Sequence, residues 1–297
     1  MKTFLLKEDG FCGTFYKGTK YFEKAIIFMS GSGISQKQAQ LSASFLVKQG
    51  YSVLVLGFYK WRGLPREMFG IPVEYVHSAI NWLLSYQEQR IKKIAIIGTS
   101  TGAGYALLCS SLLMEISCVI AISPFDHVME GVDRKFRKTD RSTYTYKGQD
   151  ITFTPNTLLS NSILSLLRQA RNNKKYTLRR IIRYFYDMNP PIPSSRIKIE
   201  NMKADILIIA AQDDDMWPAD EAASRMEEIL LKFNYPYRVK SIVYEKASHL
   251  LGYIPTLNLL NKILVKTTIA AEKNYPKECE NARKDSVQQI LLFLAEW

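Results

Sequence analysis

The chain has 297 residues, 47% of them hydrophobic and 23% charged, with a formal net charge of +12. That length and balance suit one large α/β domain or two small ones with a substantial core and exclude a disordered or fibrous protein. No apolar run approaches the ~18–20 residues that cross a bilayer, and Lys7-Glu8-Asp9 interrupts the N-terminal apolar residues too early for a signal peptide. The cysteines Cys12, Cys109, Cys118 and Cys279 show no paired spacing, so buried free thiols and a cytoplasmic location are expected.

In chain order, Lys2–Leu6 and Cys12–Lys17 predict a β-hairpin. Lys24–Met29 is a short apolar strand ending at Ser30-Gly31-Ser32-Gly33, and Ser35–Lys48 carries a helical pattern that stops at Gly50. Tyr51–Phe58 is a second buried strand, and Val73–Tyr86 an amphipathic helix begun after Pro72. A strand over Lys93–Ile97, a helix over Tyr105–Met114 and a strand over Ser117–Ser123 follow. After Pro124 the alternation stops, with helix-like stretches at Asn161–Arg171 and Tyr176–Tyr186, until the Pro-rich Asn189–Pro193. It resumes with strand Asp205–Ala211, helix Asp220–Phe233, strand Tyr237–Tyr244 and a last helix over Asn281–Glu296. Such alternation implies βαβ units and a mostly parallel central sheet flanked by helices. The expected organisation is a core over 1–125 and 201–297, with 126–200 inserted as a basic cap over one end of the sheet.

The feature that carries chemistry is Gly98-Thr99-Ser100-Thr101-Gly102. A Gly-x-Ser-x-Gly between a strand and a helix is a nucleophile elbow, a strained turn that exposes the serine hydroxyl. Small residues two before and two after the serine are what that turn demands. A serine needs a base, and the base needs a third group to hold it. There are three histidines. His77 falls inside a predicted helix before the elbow, and His127 directly follows the strand after it. His249 lies in a loop after the last strand, in agreement with the chain order Ser, acid, His of elbow-type hydrolases. Asp213-Asp214-Asp215, at the end of strand Asp205–Ala211, supply the acid, with Asp126 as the alternative. Three adjacent aspartates cannot all face one site, because like charges raise each other's pKa. The oxyanion of the intermediate calls for two backbone N–H donors, expected from Thr101 and from Ser32 in the Gly-rich turn. That turn lacks both the third glycine of GxGxxG and any GK[ST], which argues against a phosphate cradle. The residue set implies no metal and no redox cofactor.

Together these residues resemble the C-terminal catalytic domain shared by acyl-CoA thioesterases and bile acid-CoA:amino acid N-acyltransferase, a branch of the α/β-hydrolases. The likeness rests on Tyr59–Pro65, Ile71–Tyr75, Gly98–Gly102, Ile197–Ala204, Asp213-Asp214-Asp215-Met216-Trp217-Pro218 and Ala247-Ser248-His249-Leu250, and covers nearly the whole chain outside Asp126–Pro191. It implies the α/β-hydrolase fold, a Ser100–Asp214–His249 triad and cleavage of a small-molecule acyl thioester or ester through an acyl-enzyme. Within the three aspartates it selects Asp214. The conjugating member of the family uses cysteine as its nucleophile, so Ser100 favours hydrolysis over amide synthesis. With only residues 1–23 ahead of the first core strand, the β-sandwich domain of the animal enzymes is not expected here. A plain carboxylesterase or peptidase-like hydrolase, and a non-enzymatic binding protein on the same fold, are the other readings.

The charge is uneven: residues 131–200 hold 15 Lys or Arg against 5 Asp or Glu. A solvated basic face, capture of an anionic substrate, or docking on an anionic surface would each account for it. Aromatic residues are interleaved, but no nucleic-acid-binding motif accompanies them, so nucleic acid is disfavoured as a partner.

Overall fold

The computed structural model describes residues 1–156, 181–255, 265 and 268–297. The predicted stretch Asn161–Arg171 and the first part of Tyr176–Tyr186 lie outside the described residues.

An eight-stranded sheet forms the centre. Its strands are β1 (Lys2–Phe4), β2 (Cys12–Tyr16), β3 (Tyr21–Met29), β4 (Tyr51–Gly57), β6 (Lys93–Thr99), β7 (Ile116–Ile122), β12 (Asp205–Ala211) and β13 (Val239–Tyr244), in spatial order 1-2-4-3-6-7-12-13. Strands β4, β3, β6, β7, β12 and β13 run parallel, while β1 and β2 pair antiparallel at one edge. The inner strands are buried along almost their full length, and all seven residues of β4 are inaccessible. Sheets covered by helices on both faces require such continuous apolar runs.

The covering helices are α2 (Gln36–Lys48), α3 (Glu74–Ser85), α4 (Thr101–Leu112), α6 (Ala219–Lys232) and the long C-terminal α8 (Pro276–Glu296). Helix α2 starts on a capping box: the Ser35 hydroxyl accepts from the Gln38 amide, and the Gln38 side chain accepts from the Ser35 amide. Several boundaries differ from the sequence expectation, among them the start of β3 at Tyr21 rather than Lys24. The hairpin connection is a helical turn, α1 (Leu6–Asp9), closed by Gly10 at φ 77°. Helix α4 begins at Thr101, directly after the elbow residue Ser100, and α8 begins at Pro276, whose ring suits the first helical turn.

From β3 the chain crosses first to β4 on one side and later to β6 on the other. At such a reversal the loops leaving the two strands diverge and open a crevice beyond their carboxyl ends. The loops in question begin at Ser30 and at Ser100.

Between β7 and β12, four short strands make two small sheets. Strands β8 (Glu130–Val132) and β9 (Lys138–Ser142) pair with each other, and β10 (Tyr144–Tyr146) joins β11 (Gln149–Asp150) to β5 (Ile71–Pro72) of the core. Helix α5 (Ile181–Met188) follows. The described basic residues of this region are largely paired: Arg134 with Glu67, Arg137 with Asp133, Lys138 with Asp140, Arg141 with Asp150, Arg183 with Asp187 and Glu221, and Arg196 with Glu200. Among the described residues, then, much of the excess charge is spent on neighbouring carboxylates.

Candidate active site

Ser100 sits on the turn between β6 and α4 at φ 58°, ψ −126°, a conformation that L-residues rarely adopt. The two flanking glycines are sterically obligatory. A Cβ on Gly98 would stand 2.2 Å from the Gly102 carbonyl oxygen, and one on Gly102 would stand 2.7 Å from the carbonyl oxygens of Met29 and Ser30. The elbow is thus wedged against the end of β3, which brings the Ser30–Gly33 turn beside the hydroxyl.

His249 Nε2 lies 2.9 Å from Ser100 Oγ, and its Nδ1 lies 2.7 Å from Asp214 Oδ2. Asp214 is wholly inaccessible, and its other oxygen accepts from the amides of Met216 at 2.7 Å and Trp217 at 3.3 Å. Both carboxylate oxygens are therefore satisfied, which holds the imidazole in one orientation. Of the three adjacent aspartates, only Asp214 faces the histidine. Asp215 accepts from the amide of Ala270 at 2.8 Å, at the start of α7 (Ala270–Asn274).

Asp126, the alternative acid, is also buried, but its carboxylate grips Arg225 in a bidentate pair at 2.8 and 2.9 Å. Burial alone would raise its pKa. The hydrogen bonds and charges of Arg225 and His127 outweigh that and hold it below the ordinary carboxylate range. His127 stands 2.9 Å from Asp126, and His77 faces Glu115 on the surface.

Thr101 and Ser32 meet above the elbow. The Ser32 amide donates to the Thr101 hydroxyl at 2.8 Å, so in this state that hydroxyl occupies the donor expected to face an oxyanion.

Several supporting residues were given no role by the sequence, although Trp217 and Ser248 lie in motifs of the family resemblance. Ser123, at φ 49° after β7, donates its hydroxyl to the His249 carbonyl at 2.9 Å and accepts the Trp217 indole N–H at 3.1 Å. The Trp217 ring stands edge-on to the His249 imidazole, centroids 4.9 Å apart. Behind His249, Ser248 donates to the buried Glu272 of α7 at 2.5 Å, and Arg283 of α8 pairs with the same carboxylate. Helix α7 is consequently tied to both site loops, to Asp215 beside the acid and to Ser248 beside the base. Glu272 could be found only by folding the chain, since no motif marks it.

Ser100 lies at the junction of two cavities. The larger, about 520 Å³, runs between α2 and the His249 loop and is walled by Phe28, Phe45, Leu251, Tyr253 and Ile269 among others. The smaller, about 170 Å³, lies beneath β8, β10 and α5. No group of three or more candidate metal ligands, and no helix long and apolar enough to cross a membrane, occurs among the described residues.

Residues 71–296 match the family described as BAAT / Acyl-CoA thioester hydrolase C terminal. The match runs through residues 126–191, which the sequence resemblance had left aside. Acyl-coenzyme A thioesterase 1 of Mus musculus is 24% identical over 263 residues, 88% of this chain and 57% of that protein. The peroxisomal succinyl-coenzyme A thioesterase of Mus musculus is 25% identical over 273 residues, 91% of this chain and 58% of that protein. The chain thus spans less than two thirds of the length of these relatives. Among solved structures, an esterase from Pyrobaculum calidifontis superposes with a TM-score of 0.52 at 14% identity, over 97% of this chain and 82% of that one. At that identity the likeness is one of fold, and the fold is that of the α/β-hydrolases.

Proposed function

The chain belongs to the BAAT / acyl-CoA thioester hydrolase C-terminal family, and from that premise we propose that it is a serine hydrolase of small-molecule acyl thioesters or esters. The observation that carries this reading is the unbroken hydrogen-bond chain Ser100–His249–Asp214 at the end of a strained elbow.

Ser100 Oγ attacks the acyl carbon as His249 Nε2 takes its proton, and the carbonyl electron pair moves to oxygen. The buried Asp214 stabilises the imidazolium that forms and keeps its Nδ1 protonated. The amides of Thr101 and Ser32 stabilise the oxyanion, which at Ser32 displaces the Thr101 hydroxyl as acceptor. Collapse breaks the bond to sulfur or oxygen, and the leaving group departs with the proton from His249. Water then attacks the ester, His249 takes one proton from it, and the carboxylic acid and free Ser100 are released. An oxygen ester on Ser100 reacts more slowly with amines than a thioester would, so water is the favoured acceptor. The described parts of the insertion, residues 126–156 and 181–200, serve as the cap of the site, and the unpaired cysteine pattern supports a cytoplasmic location.

The test is hydrolysis of acyl-CoA thioesters and p-nitrophenyl esters by the wild type and by Ser100→Ala, with fluorophosphonate labelling in parallel. Turnover and labelling that both vanish in the variant support the assignment. Undiminished activity in Ser100→Ala sinks it.

A further inference from the structure

Resting on the serine-hydrolase reading, the next question is which cavity takes which half of the substrate. A tetrahedral intermediate on Ser100 carries three further substituents: the oxyanion, the leaving group and the acyl chain. The leaving atom takes its proton from His249 Nε2, so it must lie on the side that the imidazole faces. His249 lines the larger cavity, together with Ser32, Ser42 and Gln38, and does not line the smaller one. Ser100 and Thr101 line the smaller cavity, which is the opening left for the acyl chain.

We propose that the acyl group enters the smaller cavity beneath β8, β10 and α5 while the leaving group occupies the larger one, making the substrate a short, uncharged acyl chain on a bulky leaving group. Size sets the first limit. An engineered apolar cavity of about 150 Å³ holds benzene, so about 170 Å³ accepts an acyl chain on the order of six carbons. On the same scale a sixteen-carbon chain needs roughly 400 Å³, which only the larger cavity offers. The walls set the second limit. Met68, Phe125, Met129, Val132, Tyr144 and Tyr186 make the small cavity largely apolar. Among its described lining residues the acidic side chain is Glu130, which is buried and accepts from the amides of Thr139 at 2.9 Å and of Asp140 and Asn156 at 2.7 Å. A carboxylate fixed there repels a second one, so a dicarboxylic acyl group fits poorly.

The experiment is kcat/KM for acetyl-, butanoyl-, hexanoyl-, decanoyl-, hexadecanoyl- and succinyl-CoA, with a matching set of p-nitrophenyl esters. The expected optimum lies at butanoyl or hexanoyl, with a loss of about tenfold or more at hexadecanoyl and at succinyl; tenfold corresponds to about 1.4 kcal/mol. Met129→Ala, or Val132→Ala should the first fail to fold, moves the optimum toward decanoyl. Ser42→Trp, which narrows the larger cavity, raises KM for every thioester and leaves the optimum where it was. A hexadecanoyl optimum, shifted by Ser42→Trp and indifferent to Met129→Ala, overturns the assignment by placing the acyl chain on the His249 side. A succinyl optimum overturns the role given to Glu130. If neither series is hydrolysed faster by the wild type than by Ser100→Ala, the underlying hydrolase reading fails as well, a result distinct from an inverted chain-length profile.

Discussion

Two aspartates, Asp126 and Asp214, follow the ends of neighbouring parallel strands, β7 and β12, and both are fully buried. By position along the sheet either could be a catalytic acid. Asp214 faces an imidazole that reaches Ser100 at its other nitrogen, whereas Asp126 grips the guanidinium of Arg225 in a bidentate pair and has the His127 imidazole 2.9 Å away. An imidazole can accept and return a proton near neutrality, and a guanidinium cannot. What separates the candidate catalytic acid from the structural carboxylate here is which of them holds the imidazole that reaches Ser100, because burial and strand position are shared.

The strongest way to break this comparison is to neutralise each carboxylate in turn. Asp214→Asn is expected to lower kcat by about 10⁴-fold, since the amide favours the wrong imidazole tautomer. Asp126→Asn should keep kcat within about tenfold of wild type, so comparable losses in steady-state assays would abolish the distinction. Stability should divide the other way. Removing the charge of Asp126 leaves Arg225 without its buried partner, at a cost of about 2–3 kcal/mol in urea unfolding, at the lower end for buried pairs because Arg225 is partly exposed. Asp214→Asn, which keeps an oxygen for the Met216 and Trp217 amides, is expected to lose about 1 kcal/mol by the same measurement.

Smaller effects sharpen the role of the surrounding shell. Glu272→Ala frees both Ser248 and Arg283 and lets the His249 loop shift. A loss in kcat of roughly 10–100-fold is expected, with KM little changed and partial recovery in Glu272→Gln. An unchanged kcat would show that α7 does not position the base. The mildest effect is on acid stability. The pKa of Asp126 is depressed in the folded state, so its contribution is complete above the ordinary carboxylate pKa and fades as pH falls through the folded value. The stability gap between wild type and Asp126→Asn should therefore be full at neutral pH and narrow below about pH 4. A gap that stays constant into acid would mean that Asp126 is not charged through Arg225.

Much of the site was legible before folding because elbow chemistry is local. Gly98, Ser100 and Gly102 must be adjacent in sequence for the turn to exist. The few histidines left His249 as the one candidate after the last strand. The choice among Asp213, Asp214 and Asp215 could not be made from charge, because all three stand at the same strand end. It depends on which carboxylate the loop turns toward the imidazole, as the amides of Met216 and Trp217 and the anchoring of Asp215 to Ala270 show. The pairing of Asp126 with Arg225 and of Ser248 with Glu272 joins residues far apart in the chain, and no periodicity encodes it.

The sequence by itself determined the alternation of strands and helices, the elbow and the order Ser, acid, His, because each depends on neighbours along the chain or on the apolar periodicity of one element. The family resemblance selects Asp214, and only the tertiary structure decided that Asp126 is held by Arg225, that the Thr101 hydroxyl holds the Ser32 amide, and that Ser100 stands between a large cavity and a small one. Those depend on where separate loops come together beyond the strand ends, and that convergence is fixed by sheet order and packing across the whole domain.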